Sequence, residues 1–502
     1  MRQATPSGTV RSSPDAAAWG RALRQAALIL LLVGVVVELT VLHMTSVARS
    51  LFVIGALGIA WVSMRRSPWD YLTATLWFWT ISPFVRRVID YYGGFESTNL
   101  VLLTPSLLAL PMLQPILTSR RLMTTRETAT GLLLLGPVLY GLAVSFCRGE
   151  IFPGMAAATE WLIPLLYYFY LIHLSRQIQQ GIPHLRAFIV LNIAVIGIYG
   201  VIQCFDPPAW DTQWVEDVKM FSMRGAEFFP FKPFSMLNSP GTCAAWLSAL
   251  ILLSLHFRNQ ASVLFLPAAV FFLALTQVRA NIGGAAVGLI AALAWGHRQM
   301  ARSLLLIFAV LAVVAGGLAV TDPRLGETLS ARFGTVGNLS EDESARARTE
   351  LYKEFPALIE RYPLGVGIGA IGREALGGNG GAQQGEFASI DSGLVAAYLA
   401  LGWIGGTVYC VGLVALVGQA MIAAARSRSP AAMALAIAAL GGAVTIGFTN
   451  LVGLQGLIVW LCAGYASAIG IRSRAIRNER PEPPAPAYAS ASSSPVMRAG
   501  LR

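Results

Sequence analysis

Apolar runs of membrane length recur along nearly the whole chain, and they decide what it can fold into. A helix of about 20 apolar residues crosses the roughly 30 Å hydrocarbon core with all its backbone hydrogen bonds made internally. Only 13% of the 502 residues are charged, whereas a typical soluble domain has about a quarter. We therefore predict an all-α polytopic membrane protein with about 12–14 transmembrane helices.

The apolar segments map onto a series of candidate spans. These lie near 25–42, 50–64, 70–84, 99–118, 129–146, 154–174, 186–204, 239–256, 261–278, 281–296, 302–319, 390–424, 431–448 and 452–470. The segment at 390–424 is too long for one span, so we expect part of it to lie as a helix at the outer surface.

Arginine placement orients these spans. Arginines cluster in every second connection and at both chain ends, and loops that remain in the cytoplasm are enriched in Lys and Arg. We predict a cytoplasmic polar tail over 1–24, a membrane domain over 25–470 and a disordered cytoplasmic tail over 471–502. The polar start with no small-residue cleavage site favours a signal anchor over a cleaved signal. The net charge of +11 then reflects topology and predicts no nucleic-acid partner.

Three outer connections carry unexpected cations. They are two long extracytoplasmic loops near 205–238 and 320–389, and a shorter one near 82–98. Such a surface suits a phosphate or pyrophosphate, although loop carboxylates offer ordinary ion pairs instead. Candidate substrate contacts from these loops are Arg86, Arg87, Asp90, Lys232, Arg346 and Arg348.

Aromatic residues are dense in the loop 205–238. Trp210 and Trp214 could stack on sugars, or they could belong to the aromatic belt at the headgroup layer. Cys204 and Cys243 flank the same loop, and a disulfide between them is a minor alternative to free thiols.

The second long loop contains an amphipathic pattern followed by glycines. Ser340 and Glu343 have capping-box spacing, and the apolar residues that follow predict a surface helix kinked at Pro356. In GVGIGAIG, Gly367 and Gly369 belong to a GxGxxG match without the strand and helix of a dinucleotide site, so we expect a sharp backbone turn close to a ligand.

Other site templates are absent from the sequence. No phosphate-binding loop ending in Lys-Ser/Thr is present, and no histidine forms a metal-ligand pair with a cysteine or carboxylate. We therefore predict neither a metal nor another cofactor.

Arg279 stands in TQVRANIGG, between two apolar segments. A charge near the bilayer costs roughly 3 kcal/mol on the lenient insertion scale, so it normally has a partner or a function. No acidic residue lies near it in sequence. We therefore expect Arg279 to bind an anion.

Several segments together resemble the O-antigen ligase and O-antigen polymerase superfamily. TQVRANIGG is similar to its Ser-Arg-Gly signature, RYPLGVGIGAIG to its Pro-Leu-Gly-x-Gly-x-Gly segment, and IDSGLVAAYLALGWIGG to the block that follows. YGVIQCFDPPAWDTQW and SMRGAEFFPFKPFSMLNSPGTCAAW resemble its Arg-x-Gly and Asn-Pro segment, and ISPFVRRVIDYYGG resembles part of a bacterial polysaccharide-polymerase subgroup. The resemblance covers roughly residues 80 to 460.

The resemblance implies a C-type glycosyltransferase fold and metal-independent, inverting transfer from undecaprenyl pyrophosphate at the outer face of the bacterial inner membrane. It also implies that Arg279 and Arg224 bind the pyrophosphate. Ligases of the family carry a histidine, followed by Asn, where this chain has Asp391 and Ser392. We take Asp391 as the candidate base with Glu386 as substitute; Asp391 could equally cap the following helix.

We therefore predict a polysaccharide polymerase that acts on undecaprenyl-pyrophosphate-linked glycan, surrounded by membrane lipid, with a chain-length regulator and a flippase as possible partners. A ligase that delivers finished glycan to a lipid or protein acceptor is the alternative with the same chemistry. A transporter of lipid-linked sugar is the alternative from another class; it is disfavoured because the arginines gather at the outer rim rather than the midplane.

Overall fold

We describe the protein from a computed structural model. The structure describes residues 14–96, 99–119, 122, 125–218, 223, 231–257, 260–295, 302, 343–371, 390 and 392–479. Over these residues the regular elements are helices, with no strand. The α-helices are α1 (Pro14–Val41), α2 (Thr45–Arg66), α3 (Pro68–Gly93), α4 (Leu100–Ala109), α5 (Leu113–Thr118), α6 (Arg126–Cys147), α7 (Ile151–His173), α8 (Ile178–Phe205), α9 (Ala209–Val218), α10 (Pro240–Ser254), α11 (Gln260–Leu275), α12 (Arg279–Ala294), α13 (Glu343–Arg361), α14 (Gly393–Ser427), α15 (Pro430–Ala443) and α16 (Gly453–Glu479).

Membrane-length helices dominate this architecture, which confirms the predicted all-α polytopic class. Among the described residues, eight helical stretches are long and apolar enough to cross a membrane. They are Asp15–Val41, Thr45–Arg66, Leu100–Thr118, Arg126–Cys147, Ile151–Phe205, Gly393–Ser427, Pro430–Gly447 and Gly453–Glu479. The helices α10, α11 and α12 are apolar but shorter. The span predicted near 302–319 lies outside the described residues.

The ends of the chain differ from the predicted boundaries. The first helix begins at Pro14, inside the stretch predicted as a polar tail, and the last continues to Glu479, beyond the predicted span end. The rest of both predicted tails lies outside the described residues. Ser340, the predicted capping residue before α13, also lies outside them.

Prolines divide the segment predicted as one span at 99–118. It forms α4 and α5, with a 3-10 turn at Leu110–Met112 between them. Pro111 stands in that turn and Pro115 follows in α5. Each proline lacks a backbone N–H and crowds the carbonyl one turn earlier, so a regular α-helix does not continue through this sequence.

The long helix α14 is bent sharply at Gly402, where φ is 72°. The bend releases the carbonyls of Leu399 and Ala400 from their normal partners in the next turn. The loop after α13 satisfies both groups: Val366 N donates to Leu399 O at 2.7 Å, and Gly367 N donates to Ala400 O at 3.1 Å. A bent helix is therefore tolerated inside the bundle because neighbouring backbone completes its hydrogen bonding.

A third backbone hydrogen bond joins this loop to α14, just after Gly402. Trp403 N donates to Pro363 O at 3.0 Å. The first half of α14 is mostly buried, with Leu399 and Leu401 fully enclosed. Gly402 thus separates a buried first half of α14 from its second half, and the expected position of that first half at the outer surface stays a prediction.

Two parallel helices form the centre of the bundle. A Cβ built at Gly453 in α16 would lie 3.9 Å from Glu160 Oε2 in α7, and one at Gly464 would lie 3.1 Å from Leu171 Cδ1. The second contact lies 11 residues after the first in both helices, so α7 and α16 run in the same direction. Of the candidate spans, α16 is the most buried.

One end of the bundle collects several helix starts. Gly241 at the start of α10 lies beside Gln455 at the start of α16, and Asn281 Nδ2 of α12 donates to Gly241 O at 3.2 Å. Gly393 at the start of α14 packs on Thr449, just before α16. We call this the Arg279 end, after the first residue of α12.

Candidate functional site at the Arg279 end

Arg279 is exposed and follows a tight turn between α11 and α12. Thr276 Oγ1 donates to Leu273 O at 2.7 Å, which completes the last turn of α11. Gln277 then adopts φ 59°, a left-handed conformation that non-glycine residues rarely take. The turn therefore sets the direction in which α12 leaves and places Arg279 at its positive end.

Asn281 fixes α12 against α10. Asn281 is only 2% exposed. Its side-chain Nδ2 donates to Gly241 O, and its backbone carbonyl accepts a hydrogen bond from Ser248 Oγ at 3.2 Å. Ser239 caps α10 by accepting from Thr242 N at 3.3 Å. The starts of α10 and α12 are thus held side by side, two residues from Arg279.

Helix starts and helix ends meet at this end of the bundle, where α11 ends just before Arg279. α10, α12, α14 and α16 all begin here, and no side chain caps the N-terminus of α12. Backbone N–H groups at a helix start carry partial positive charge and favour a bound anion. The basic guanidinium of Arg279 adds a full charge with a forked set of donors. Together these groups suit a phosphate-bearing ligand.

The amphipathic helix predicted in the second long loop is present as α13. Tyr352 OH donates to Gly447 O at 2.7 Å and contacts Ser392 Oγ at 3.0 Å. Ser392 Oγ also accepts from Val395 N at 3.4 Å, which caps α14. Tyr352 therefore ties α13 to the turn that begins α14.

Two predicted basic residues lie on α13. The guanidinium carbon of Arg348 is 5.8 Å from the ring centre of Phe448, at the Arg279 end. Arg346 is exposed one half-turn earlier. The structure thus brings Arg348 to the same end of the bundle as Arg279.

A second cluster surrounds Arg87 of α3. Arg87 Nε lies 2.8 Å from Asp211 Oδ1 of α9, and both side chains are 0% exposed. Arg87 Nη2 donates to Ser235 O at 2.6 Å and Nη1 donates to Leu237 O. Its guanidinium also stacks on Phe234, 4.8 Å from the ring centre. These contacts hold the chain that leads into α10.

Asp211 uses its two carboxylate oxygens differently: Oδ1 faces Arg87, and Oδ2 accepts hydrogen bonds. Its Oδ2 accepts from Tyr199 OH and from Gln203 Nε2, both at 2.8 Å. Gln203 Oε1 in turn accepts from the backbone N–H groups of Phe234 and Ser235. The buried charge pair is therefore surrounded by donors and acceptors, as burial of charge requires.

Arg86 faces the outer loops. Its Nε lies 3.0 Å from Asp90 Oδ2 and its Nη2 donates to Glu96 O at 2.6 Å. Its guanidinium carbon is 4.8 Å from the Trp214 ring centre. Burial raises the pKa of the Asp90 carboxyl above its ordinary value, against the lowering effect of Arg86. Arg86 and Asp90 are thus brought together, with 4% and 3% of each residue exposed.

The two tryptophans occupy the same cluster. Trp210 Nε1 donates to Tyr199 OH at 2.9 Å, and Trp214 Nε1 donates to Asn238 O at 3.2 Å. Trp214 is 3% exposed. Its ring therefore covers Arg86 and supports the residue before the cap of α10. Lys232, in the same loop, donates its backbone N–H to Met223 O at 2.9 Å.

The two loop glycines pack against protein. Gly367 has φ 92°, and a Cβ there would lie 2.4 Å from Ser145 Oγ; one at Gly369 would lie 2.6 Å from Gly154 N. Gly369 N donates to Ser145 Oγ at 2.9 Å. Close approach to α6 and α7 requires glycine at both positions, and their expected place beside a ligand stays a prediction.

Three predicted site residues lie outside the described residues, namely Arg224, Glu386 and Asp391. Sequence reasoning missed Asn281, Tyr352 and the pairing role of Asp211. Asn281 stands in TQVRANIGG itself, but its partner at Gly241 becomes visible only in the fold.

Cysteines and possible metal ligands are scattered over the described part of the chain. It holds no group of three or more His, Cys, Asp or Glu side chains that could ligate a metal. Cys204 and Cys243 are both buried free thiols, so the alternative of a disulfide is not observed.

Comparison with known proteins gives a family match over part of the chain. Residues 262–410 match the family model described as O-antigen ligase. The matched region contains Arg279, α13, the loop glycines and the bend of α14. No curated protein matches the chain.

Proposed function

We propose that this chain, whose residues 262–410 match the O-antigen ligase family model, is a polysaccharide polymerase. It would transfer glycan from one undecaprenyl-pyrophosphate carrier to the terminal sugar of a second lipid-linked repeat. The reaction would take place at the outer face of the bacterial inner membrane, with the Arg279 end facing outward.

The convergence of Arg279 with the starts of α10, α12, α14 and α16 is the observation that carries the proposal. This arrangement places the Arg279 guanidinium at the N-terminus of α12, which no side chain caps, at one end of an apolar bundle. A lipid-linked pyrophosphate needs this combination, because its anion must remain at the surface while its tail stays in lipid.

The chemistry required of Arg279 is stabilisation of a leaving group. The acceptor hydroxyl oxygen attacks the anomeric carbon, the bond from that carbon to the pyrophosphate oxygen breaks, and the configuration inverts. Negative charge grows on the departing pyrophosphate, and guanidinium forks bind it through charge-assisted hydrogen bonds. We assign this role to Arg279 with Arg224, and metal-independent transfer follows from it.

The hydroxyl proton needs an acceptor. We assign it to the Asp391 carboxylate, with Glu386 as the alternative. Ser392, the next residue, is fixed by its cap on α14 and by Tyr352 OH at 3.0 Å. Such anchoring would limit the positions open to a base one residue earlier in the chain.

The choice of polymerase over ligase rests on Asp391 and Ser392, which stand where the ligases carry His and Asn. A transporter is less well supported because Arg279 is at one end of the bundle and not at its middle. Both alternatives are outcomes of the experiment below.

The test is a product-size assay. The purified chain in liposomes receives an undecaprenyl-pyrophosphate-linked oligosaccharide, with chelator and without nucleotide. We expect a ladder spaced by one repeat. Transfer only after a lipid or protein acceptor is added would indicate a ligase, and movement of intact substrate between leaflets would indicate a transporter.

Variants at Arg279 test the assigned role. Arg279→Ala should lower the rate by at least about a hundredfold, the usual cost of removing a stabilising donor. Arg279→Lys should recover little, because an ammonium cannot form the fork. Arg426→Ala removes an exposed arginine at the other end of α14 and should leave the ladder intact. A normal ladder from Arg279→Ala protein would refute the assignment.

A further inference from the structure

A cavity lies at the end of the bundle opposite Arg279. It has a volume of about 560 Å³ and is lined by Ser119, His173, Arg176 and Gln177. The cavity forms where α5 and α7 end and a 3-10 turn at Leu174–Gln177 leads into α8. Pockets of roughly 300–1,000 Å³ are typical of small-molecule sites.

The direction of α7 fixes this placement. α7 runs parallel to α16, whose start lies at the Arg279 end. The start of α16 lies beside Glu160 of α7, and His173 ends α7 13 residues later, so the cavity lies about 20 Å along the helix axis from the Arg279 end. By the predicted orientation, this end faces the cytoplasm.

The lining favours an anion. All four side chains can donate hydrogen bonds, and none is a carboxylate. Over the part of the chain that the structure describes, no hydrogen bond or ion pair is made by these four side chains.

The surroundings favour a lipid over a soluble anion. Leu117, two residues before Ser119, is 80% exposed, and Leu110 is 45% exposed on the same broken segment. Apolar surface therefore leads away from a donor-lined cavity at the depth where spans end. Basic pockets between transmembrane helices at the cytoplasmic end bind anionic lipid headgroups.

We propose that this cavity binds the phosphodiester headgroup of an anionic phospholipid, with Arg176 and His173 contacting the phosphate oxygens and the acyl chains lying along Leu117. The site is separate from the Arg279 end, and it does not depend on the glycan-transfer proposal.

Native mass spectrometry of the full chain, titrated with phosphatidylglycerol, tests the site. We expect one tightly bound phosphatidylglycerol, and phosphatidylcholine bound more weakly. Arg176→Gln should weaken that binding about tenfold through loss of charge-assisted bonds, and His173→Gln should weaken it to a smaller extent.

Arg426→Gln is the matched control, because it removes an equally exposed charge at the same end without touching the cavity. Three results would overturn the proposal: unchanged affinity in Arg176→Gln, an equal loss in Arg426→Gln, or equal binding of phosphatidylcholine. Displacement of the lipid by equimolar inorganic phosphate would assign the cavity to a free anion instead. Elution as a single species on size exclusion would establish that each variant is folded.

Discussion

Arg87 and Asp211 show how a charged residue can be wholly structural in a membrane protein. Neither side chain reaches solvent, and together they contact carbonyls and side chains from α3, α8, α9 and the loop before α10. Taking a charge out of water is unfavourable unless partners replace the water. The pair therefore positions the start of α10, which in turn adjoins Asn281.

Removing one member of this pair should unfold the protein more easily. Asp211→Leu leaves the Arg87 charge buried without its partner, which typically costs roughly 3–5 kcal/mol. Thermal unfolding in detergent should show a lower Tm. The double variant Arg87→Leu, Asp211→Leu should lose less than the sum of the two single variants. Strict additivity would contradict a direct coupling between them.

The sequence indicated part of this arrangement. The charges of Arg86 and Arg87 at the end of an apolar segment were visible, as was Asp211 in a neighbouring loop. Their pairing was not, because it joins residues far apart in the chain and depends on how α3 and α9 pack. For the same reason, the exposed Arg279 could be recognised from its apolar neighbours, whereas the Asn281 contact could not.

At the scale of elements, α12 and α15 approach closely through small residues. A Cβ at Gly284 would lie 2.5 Å from Gly441 O, and one at Gly441 would lie 2.9 Å from Gly284 O. Helices in membranes gain from such backbone contact, since lipid provides no hydrophobic drive for their association. Gly283, one position earlier, has nothing within 4 Å of its side-chain position.

Adjacent glycines therefore make a paired experiment. Gly284→Ala should force α12 from α15 and lower the Tm, by an amount typical of overpacking, about 1–3 kcal/mol. Gly283→Ala should be neutral or slightly stabilising, because alanine favours the helix. Equal effects at the two positions, measured by thermal unfolding in one detergent, would argue against close packing here.

The length of the apolar segments predicted that helices would form, but it did not predict where those helices are broken or bent. The three prolines in 99–118 were visible in sequence, yet the apolar run alone suggested one span. The bend at Gly402 was not foreseen, because nothing local distinguishes it from the other glycines of GWIGG. The bend is stabilised by backbone hydrogen bonds to Pro363, Val366 and Gly367, which lie far from Gly402 in sequence.

At the scale of the whole molecule, the two ends have different proposed ligands, and their orientation can be measured. Cys147 ends α6 and is exposed. Ser145, two residues earlier, contacts Gly369 of the outer loop. A membrane-impermeant maleimide applied from the periplasm should therefore label Cys147. The variant Cys147→Ser should abolish labelling, since Cys204, Cys243 and Cys462 are buried and the half-buried Cys410 lies within the membrane-length helix α14. Labelling from the cytoplasm alone would invert the proposed topology.

The loop after α13 supplies backbone partners to the bent helix, with Val366, Gly367 and Pro363 all bonded across to α14. Each segment therefore needs the other to satisfy its backbone hydrogen bonds. A chimaera that exchanges only this loop with a relative would break the junction at Gly402. Residues 343–371 and the first half of α14 should therefore be grafted together, as a single module, when specificity is moved between proteins of this kind.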